Sequence, residues 1–439
     1  MRRLRLILLW AVASSVVAIA LAACGADGDD EQEVGIEPVS ASTCEPVEFG
    51  GSGEPQALIV SDLPMQGDSA ERSEQQVEAI RLVLEQADWR AGDTPLAFQA
   101  CDDSIAETGL WDPATCRENA AAYGSHPDLL GVIGTYNSGC AAEEIPILNR
   151  SGVALISPGN TAVCLTEESG TCEEGQPGSL YRDGKRNYLR VVPNDAFQGA
   201  ALAEFARRQG VERAFVLYAA DDPTSTGQAS NFRSAARELG IEVIGYETWD
   251  PDASGYAGLL RDVKASGADG VVLAGLIEQN GAQVIRDKVR VVGANDEVPL
   301  VAFDGFSQQS TIEQAGAASE GMFASVPGRA AENLSGAGRR FVTELEQRIG
   351  DQPVELFAPY AAEAADVFLD AIATAGPDRA GVLRAAFANP RRGGILGRYR
   401  FQPSGDPSVG PVTVFRASET FEPLEEIVPA RDLVTAARR

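Results

Sequence analysis

Short apolar runs and amphipathic stretches alternate along most of this chain. Ala57 to Asp62 (ALIVSD) is an apolar run ending in a polar turn, and in the following SAERSEQQVEAIRLVLEQADW the residues Val77, Ile80, Leu84 and Ala87 recur at helical spacing. Thr94 to Ala100, Leu129 to Gly134 and Val153 to Ser157 read as strands, with helices at Pro113 to Gly124 and Ala141 to Asn149 between them. Strict alternation of strand and helix predicts parallel pairing through right-handed crossovers. The pattern then restarts. Helices are predicted at Ala196 to Arg208, Ser230 to Leu239, Tyr256 to Ala265 and Ala282 to Val289, and strands at Ala214 to Tyr218, Glu242 to Glu247, Gly270 to Ala274 and Leu300 to Phe303. Past Val326 the best apolar stripe is Ala361, Ala365, Phe368 and Ile372, and strands are predicted at Arg398 to Phe401 and Val412 to Phe415. These late elements are too few for a third domain. They are expected to complete the two earlier ones, so that the chain crosses between lobes several times and forms a hinge of adjacent strands. The expected fold is α/β: two doubly wound parallel-sheet lobes joined by a multi-strand hinge, with lobe 1 from 56–194 plus 327–410 and lobe 2 from 195–326 plus 411–430.

The N-terminal pattern is different. Arg2, Arg3 and Arg5 precede an apolar run from Leu6 to Ala23 and the tripeptide Leu21-Ala22-Ala23 before Cys24. Residues 1–24 therefore read as a lipoprotein signal peptide, with the Cys24 thiol as acceptor of a diacylglycerol anchor on the extracytoplasmic face of the cell membrane. The competing reading is a transmembrane helix, but an acidic segment follows it instead of a cationic stop-transfer cluster. Residues 25–55 are rich in Gly, Ser, Asp and Glu with almost no aliphatic periodicity, and they read as a flexible tether. A formal charge of −28 argues against nucleic acid as a partner and against docking flat on anionic lipid.

Apart from Cys24 there are six cysteines: Cys44, Cys101, Cys116, Cys140, Cys164 and Cys172. An even number in an exported chain implies disulfides. Cys164 and Cys172 are expected to pair locally, closing a loop worth about 2–3 kcal/mol in the chain-entropy model. Spacing leaves the other pairs open. No C-x-x-C occurs and the only histidine is His126, which speaks against a metal site. The same histidine poverty, with no G-x-S-x-G, H-E-x-x-H or P-loop, speaks against an exported hydrolase, although a carboxylate-pair glycosidase stays formally open. No cofactor is implied.

The segment GVIGTYNSGCAAEEIPILNRSGVALISPGNT, Gly131 to Thr161, reads as two buried strands that each end in a hydroxyl- and glycine-rich loop. In an open parallel sheet, ligands settle beyond the carboxyl ends of the strands, where oriented N–H groups hold anions. This segment resembles the first-lobe ligand segment of the type I periplasmic solute-binding proteins of branched-chain amino acid ABC transporters. RNYLRVVPNDAFQGAALAEFA is similar to that family's lobe crossover, ADGVVLAG to a second-lobe strand, and VAFDGF to the strand end carrying an acidic ligand residue. The resemblance spans about Gln56 to Pro429 and rests on the ordered set of segments.

It implies a Venus-flytrap fold and a non-enzymatic function: capture of a small polar solute, foremost an amino acid, for delivery to an ABC transporter permease. It matches Ser138 to the hydroxyl that meets the ligand's carboxylate, Gly159, Asn160 and Thr161 to the loop supplying further contacts, and Asp304 to the carboxylate that pairs with the α-ammonium. Thr226 and Ile277 fall where relatives carry aromatics, a departure bearing on which solute is bound. It also implies a Cys101–Cys140 disulfide, leaving Cys44 for Cys116. Each site residue has a plainer reading: Ser138 as a helix cap, Asn160 and Thr161 as turn residues, and Asp304 as part of an Asp-Gly turn. A sensory lobe of the same fold is the alternative function, since fold alone does not separate transport from sensing.

Overall fold

The computed structural model describes residues 35–439 except 42, 107, 108 and 389. The expected signal peptide, the lipid acceptor Cys24 and residues 25–34 of the expected tether lie outside the described residues.

The first sheet is built from β1 (Ala57–Leu63), β2 (Arg90–Ala91), β3 (Thr94–Asp102), β4 (Leu129–Gly134), β5 (Ala154–Ser157) and β6 (Tyr188–Arg190), in the order β2-β3-β1-β4-β5-β6. All neighbours run parallel except β2 and β3. Helices α1 (Ala70–Gln86), α2 (Pro113–Ser125) and α3 (Ser138–Ser151) are its crossovers. Along β1, Ala57, Ile59 and Leu63 enter one core while Leu58 and Val60 enter another on the opposite face. Burial on both faces is why these strands appear as unbroken apolar runs rather than alternating ones. Capping sets the helix starts: the Asp112 carboxylate accepts from the N–H groups of Ala114 and Thr115, both at 2.9 Å, with Pro113 at the first helical position.

The second sheet follows α4 (Asp195–Arg208). It contains β7 (Arg213–Ala219), β8 (Glu242–Trp249), β9 (Gly270–Ala274), β10 (Leu300–Ala302) and β11 (Phe323–Val326), with helices α5 (Pro223–Glu238), α6 (Ala257–Ser266), α7 (Ala282–Val291) and α8 (Gln309–Ala315) between them. The chain then returns to the first sheet as α9 (Ala337–Ile349), α10 (Ala358–Ala375) and α11 (Arg379–Ala388), whose Phe341, Phe368, Ile372 and Val382 share the core of Ile59 and Ile80. β12 (Arg391–Gly394) and β13 (Gly397–Tyr399) form a separate two-stranded ribbon, so the strand expected at 398–401 pairs locally. Finally β14 (Val412–Ala417) and β15 (Phe421–Ile427) add antiparallel to β11, giving the order β15-β14-β11-β10-β9-β7-β8, and α12 (Arg431–Ala437) packs on α4 and α5.

Among the described residues, three chain segments cross between the sheets: after β6, after β11, and between β13 and β14. They are tied to one another. Arg190 N–H donates to Gly405 O at 3.1 Å, and Thr413 Oγ1 donates to Gly328 O at 2.8 Å. Gly328 has φ +143°, and a Cβ on it would lie 1.9 Å from the Tyr360 hydroxyl, so only glycine fits this crossing.

Two expectations are corrected. Residues 35–41 and 43–49, expected as part of a tether, pack on the first lobe: Ile36 and Val39 are buried beside Leu58 and Val60. Glu48 exchanges both backbone hydrogen bonds with Phe98, at 2.7 and 3.0 Å, and Glu45 N–H donates to Ala100 O at 2.8 Å. The segment covers the outer edge of β3, whose backbone groups would otherwise go unpaired. The disulfides are Cys44–Cys101, Cys116–Cys140 and Cys164–Cys172. The local pair is as expected, whereas the Cys101–Cys140 and Cys44–Cys116 pairings are overturned. Edge pairing brings Cys44 opposite Cys101, and the adjacent helices α2 and α3 bring Cys116 to Cys140 with Cα atoms 5.6 Å apart.

Candidate functional site

The carboxyl ends of β4 and β5 meet in two stitched loops. Ser138, in the first turn of α3, accepts at Oγ from the N–H groups of Thr161 (3.2 Å) and Ala162 (3.1 Å). Ser157 Oγ accepts from Gly159 N–H (3.1 Å) and Asn160 N–H (2.8 Å), and donates to Thr135 O. The Asn160 amide donates to Thr135 O at 2.8 Å and Tyr136 O at 2.9 Å, and accepts from the Tyr188 hydroxyl at 3.1 Å. The fully buried Asn160 side chain is thus committed to holding the two loops together. Gly159 is required by the Tyr136 ring, which a Cβ would approach to 2.8 Å.

Thr161 leads into the second lobe, because its carbonyl accepts from Asp195 N–H at 2.8 Å at the start of α4. Gln228 Nε2, on α5, donates to Asp304 Oδ1 at 3.0 Å and reaches Asp195 Oδ1 at 3.3 Å. Asp304 follows β10. A continuous hydrogen-bonded chain, Ser138 to Thr161 to Asp195 to Gln228 to Asp304, therefore links the first-lobe loops to the second-lobe carboxylates. Burial raises the pKa of both carboxyls, and for Asp195 the facing Asp304 charge adds to it.

A second bridge lies beside the first. Arg72, on α1 and 7% exposed, stacks its guanidinium 3.9 Å over the Tyr136 ring, donates to Ser69 Oγ at 2.8 Å and to Gln308 Oε1, and stands 3.9 Å from Glu278. Glu278 accepts from Ser69 Oγ (3.3 Å) and Gln308 Nε2 (2.9 Å). Next to this bridge opens a cavity of about 450 Å³, lined by Arg72, Gln75 and Glu355 from one lobe and Ser307, Gln308 and Phe421 from the other. Burial pushes the Glu355 carboxyl up to about 8 against the opposing charge of Arg72.

The expected site residues divide. Ser138, Thr161 and Asp304 are drawn together along the chain of bonds. Ile277 is 1% exposed and belongs to the second lobe's core with Trp249 and Phe306, while its neighbour Glu278 takes part in the bridge between lobes. Thr226 bonds back to Asp222 O at 3.0 Å on α5, and it is Gln228, two residues on, that reaches Asp304. Arg72, Tyr136, Asp195, Gln228, Glu278 and Gln308 were not anticipated. A signal existed for Arg72: with Gln76, Ile80 and Leu84 it continues the buried stripe of α1 at intervals of four.

Residues 63–420 match the model of a family described as periplasmic binding protein. The chain belongs to this family. Among curated relatives it is 24% identical over 289 residues to Leu/Ile/Val-binding protein homolog 2 of Brucella abortus, covering 65% of this chain and 71% of the relative. Among solved structures, the leucine-binding protein LivK of Thermotoga maritima superposes with TM-score 0.72 at 21% identity, covering 85% of this chain and 99% of that one. LivJ of Streptococcus pneumoniae, solved with isoleucine, gives 0.71 at 15% identity, covering 85% and 100%. A solute-binding protein of R. palustris solved with benzoate gives 0.68 at 17%, covering 85% and 96%. The fold of this periplasmic binding protein is accordingly the two-lobed one of these structures.

Proposed function

We propose that this periplasmic binding protein captures an amino acid between its lobes and hands it to the permease of an ABC transporter, held at the membrane through a lipid on Cys24. The observation that carries this reading is the bonded path from Ser138 and Thr161 to Asp304. It sets hydroxyl groups and the N-terminus of α3 on one side of the cleft against carboxylates on the other, a polarity complementary to an amine-bearing solute. The names of the relatives point the same way, and a solute bridging the lobes stabilises the closed form by its differential contact with it. Gly159 and Asn160 support the site as loop structure, and no catalytic step is assigned to any residue.

Calorimetric titration of the purified protein with an amino-acid panel tests the reading. Saturable one-to-one binding is expected, and Asp304→Asn should weaken it by about 2–5 kcal/mol with an unchanged melting temperature. Absence of binding by every amino acid and amine tried would remove the proposal. Co-purification of a permease tests the delivery step.

A further inference from the structure

The carboxylates of the cleft outnumber its cations. Asp195 is 1% and Asp304 8% exposed, and both carboxylates turn to the same Gln228 amide nitrogen. Among the described residues, Asp195 Oδ2 is buried without a hydrogen bond. Arg190, the cation whose charge acts on Asp195, is committed to Asp406 at 2.7 Å. Arg72, the cation facing Asp304, is committed to Glu278 and Gln308. The cavity beside Arg72 repeats the imbalance, with Glu71, Glu332, Glu346 and Glu355 against Arg72 and Arg339 on its lining. The anion-binding side is meagre by comparison. The N–H groups of Gly159, Asn160, Thr161 and Ala162 all donate to Ser157 or Ser138, so one carboxylate at most finds donors, at the Ser138 hydroxyl and the first turn of α3.

Resting on the solute-capture reading above, we infer that the solute carries net positive charge: a basic amino acid or a diamine, with one cationic group seated between Asp195 and Asp304 and a second directed to the acidic cavity. Buried carboxylates that lack a cation of their own retain a proton, which the entering ammonium or guanidinium displaces. The raised proton affinity of both groups agrees with this. An aliphatic zwitterion supplies one positive charge where the site accommodates two, and an aromatic acid supplies none.

The test is calorimetry of the full-length protein in mild detergent against lysine, ornithine, arginine, putrescine, leucine, isoleucine and benzoate. At least one cationic compound is expected to bind tenfold or more tighter than leucine. Titration in two buffers of different ionisation enthalpy near pH 6.5 should show net proton release, with affinity rising as pH rises. Asp195→Asn should reduce cation affinity at least tenfold and diminish the proton release. Should that variant fail to fold, the buffer comparison on the unaltered protein still decides. Leucine or benzoate binding as tightly as the cations overturns this inference while leaving solute capture intact, and binding of none of the seven overturns both.

Discussion

Single residues in this protein act mainly by closing polar circuits that the backbone leaves open. Arg190 is fully buried and donates to Asp406 (2.7 Å), Asn160 O (3.1 Å), Ala162 O (2.8 Å) and the Thr166 hydroxyl. It thereby locks the loop after β5 to the third lobe crossing, where Asp406 resides. Removing one partner of a buried pair strands the other charge, so Asp406→Asn should cost about 3–5 kcal/mol, read from chemical denaturation of the two proteins. The same pair sets an acid limb. Burial opposes ionisation of Asp406, but the Arg190 charge and its hydrogen bonds win and hold the carboxyl below its usual value of 3.8. A depressed folded pKa contributes stability above that value, which is lost as pH falls through the folded one. Melting temperature measured from pH 5 to pH 2.5 should therefore fall more steeply for the unaltered protein than for Asp406→Asn.

At the scale of elements, local periodicity and long-range pairing carried different information. The helix stripe of α1 and the apolar run of β1 were legible because their spacing is dictated by the element itself. The segment 35–49 was not, because Ile36, Val39 and Val47 are too few to reveal a core-facing pattern. What holds it is an edge of β3 that becomes available only once the sheet has formed. The Cys44–Cys101 disulfide, spanning 57 residues of sequence, fastens that edge. The double variant Cys44→Ala with Cys101→Ala should lose about 2–4 kcal/mol, and hydrogen exchange should increase at Glu45, Glu48 and Phe98 ahead of the rest of the sheet. Unchanged protection there would show that the edge pairing holds without the crosslink. The misassigned disulfides have the same origin: which helix neighbours which strand edge is a property of packing, and spacing leaves it free.

For the whole molecule, the lobes are related by three crossing segments and by the bridge of Ser69 and Arg72 to Glu278 and Gln308. Hydrogen bonds to charged groups contribute about 1.5–3 kcal/mol each when buried, enough to shift an open–closed equilibrium by an order of magnitude. Arg72→Ala removes the stack on Tyr136 together with the contacts to Ser69, Gln308 and Glu278. The radius of gyration of the solute-free variant, measured by small-angle X-ray scattering, should exceed that of the unaltered protein. Saturating solute should bring the two values together. Equal values before solute addition would mean that the hinge strands alone set the lobe arrangement.

By itself the amino-acid sequence determined the alternation of strands and helices, the parallel sheets covered on both faces, the return of the chain to both lobes, the local Cys164–Cys172 bridge and the loops that carry Ser138, Thr161 and Asp304. The alternation, the local bridge and the loops follow from the geometry of one element or one turn, which neighbouring residues encode, and the return follows from the late elements being too few to form a domain of their own. The tertiary structure alone decided that Asn160 is consumed within its own lobe, that Ile277 faces a core, that Cys44 meets Cys101, and that Arg72, Asp195, Gln228 and Glu278 converge between the lobes. Those outcomes depend on which donor reaches which acceptor across tens or hundreds of residues. Such contacts are specified by the packing of finished elements and leave no period in the chain.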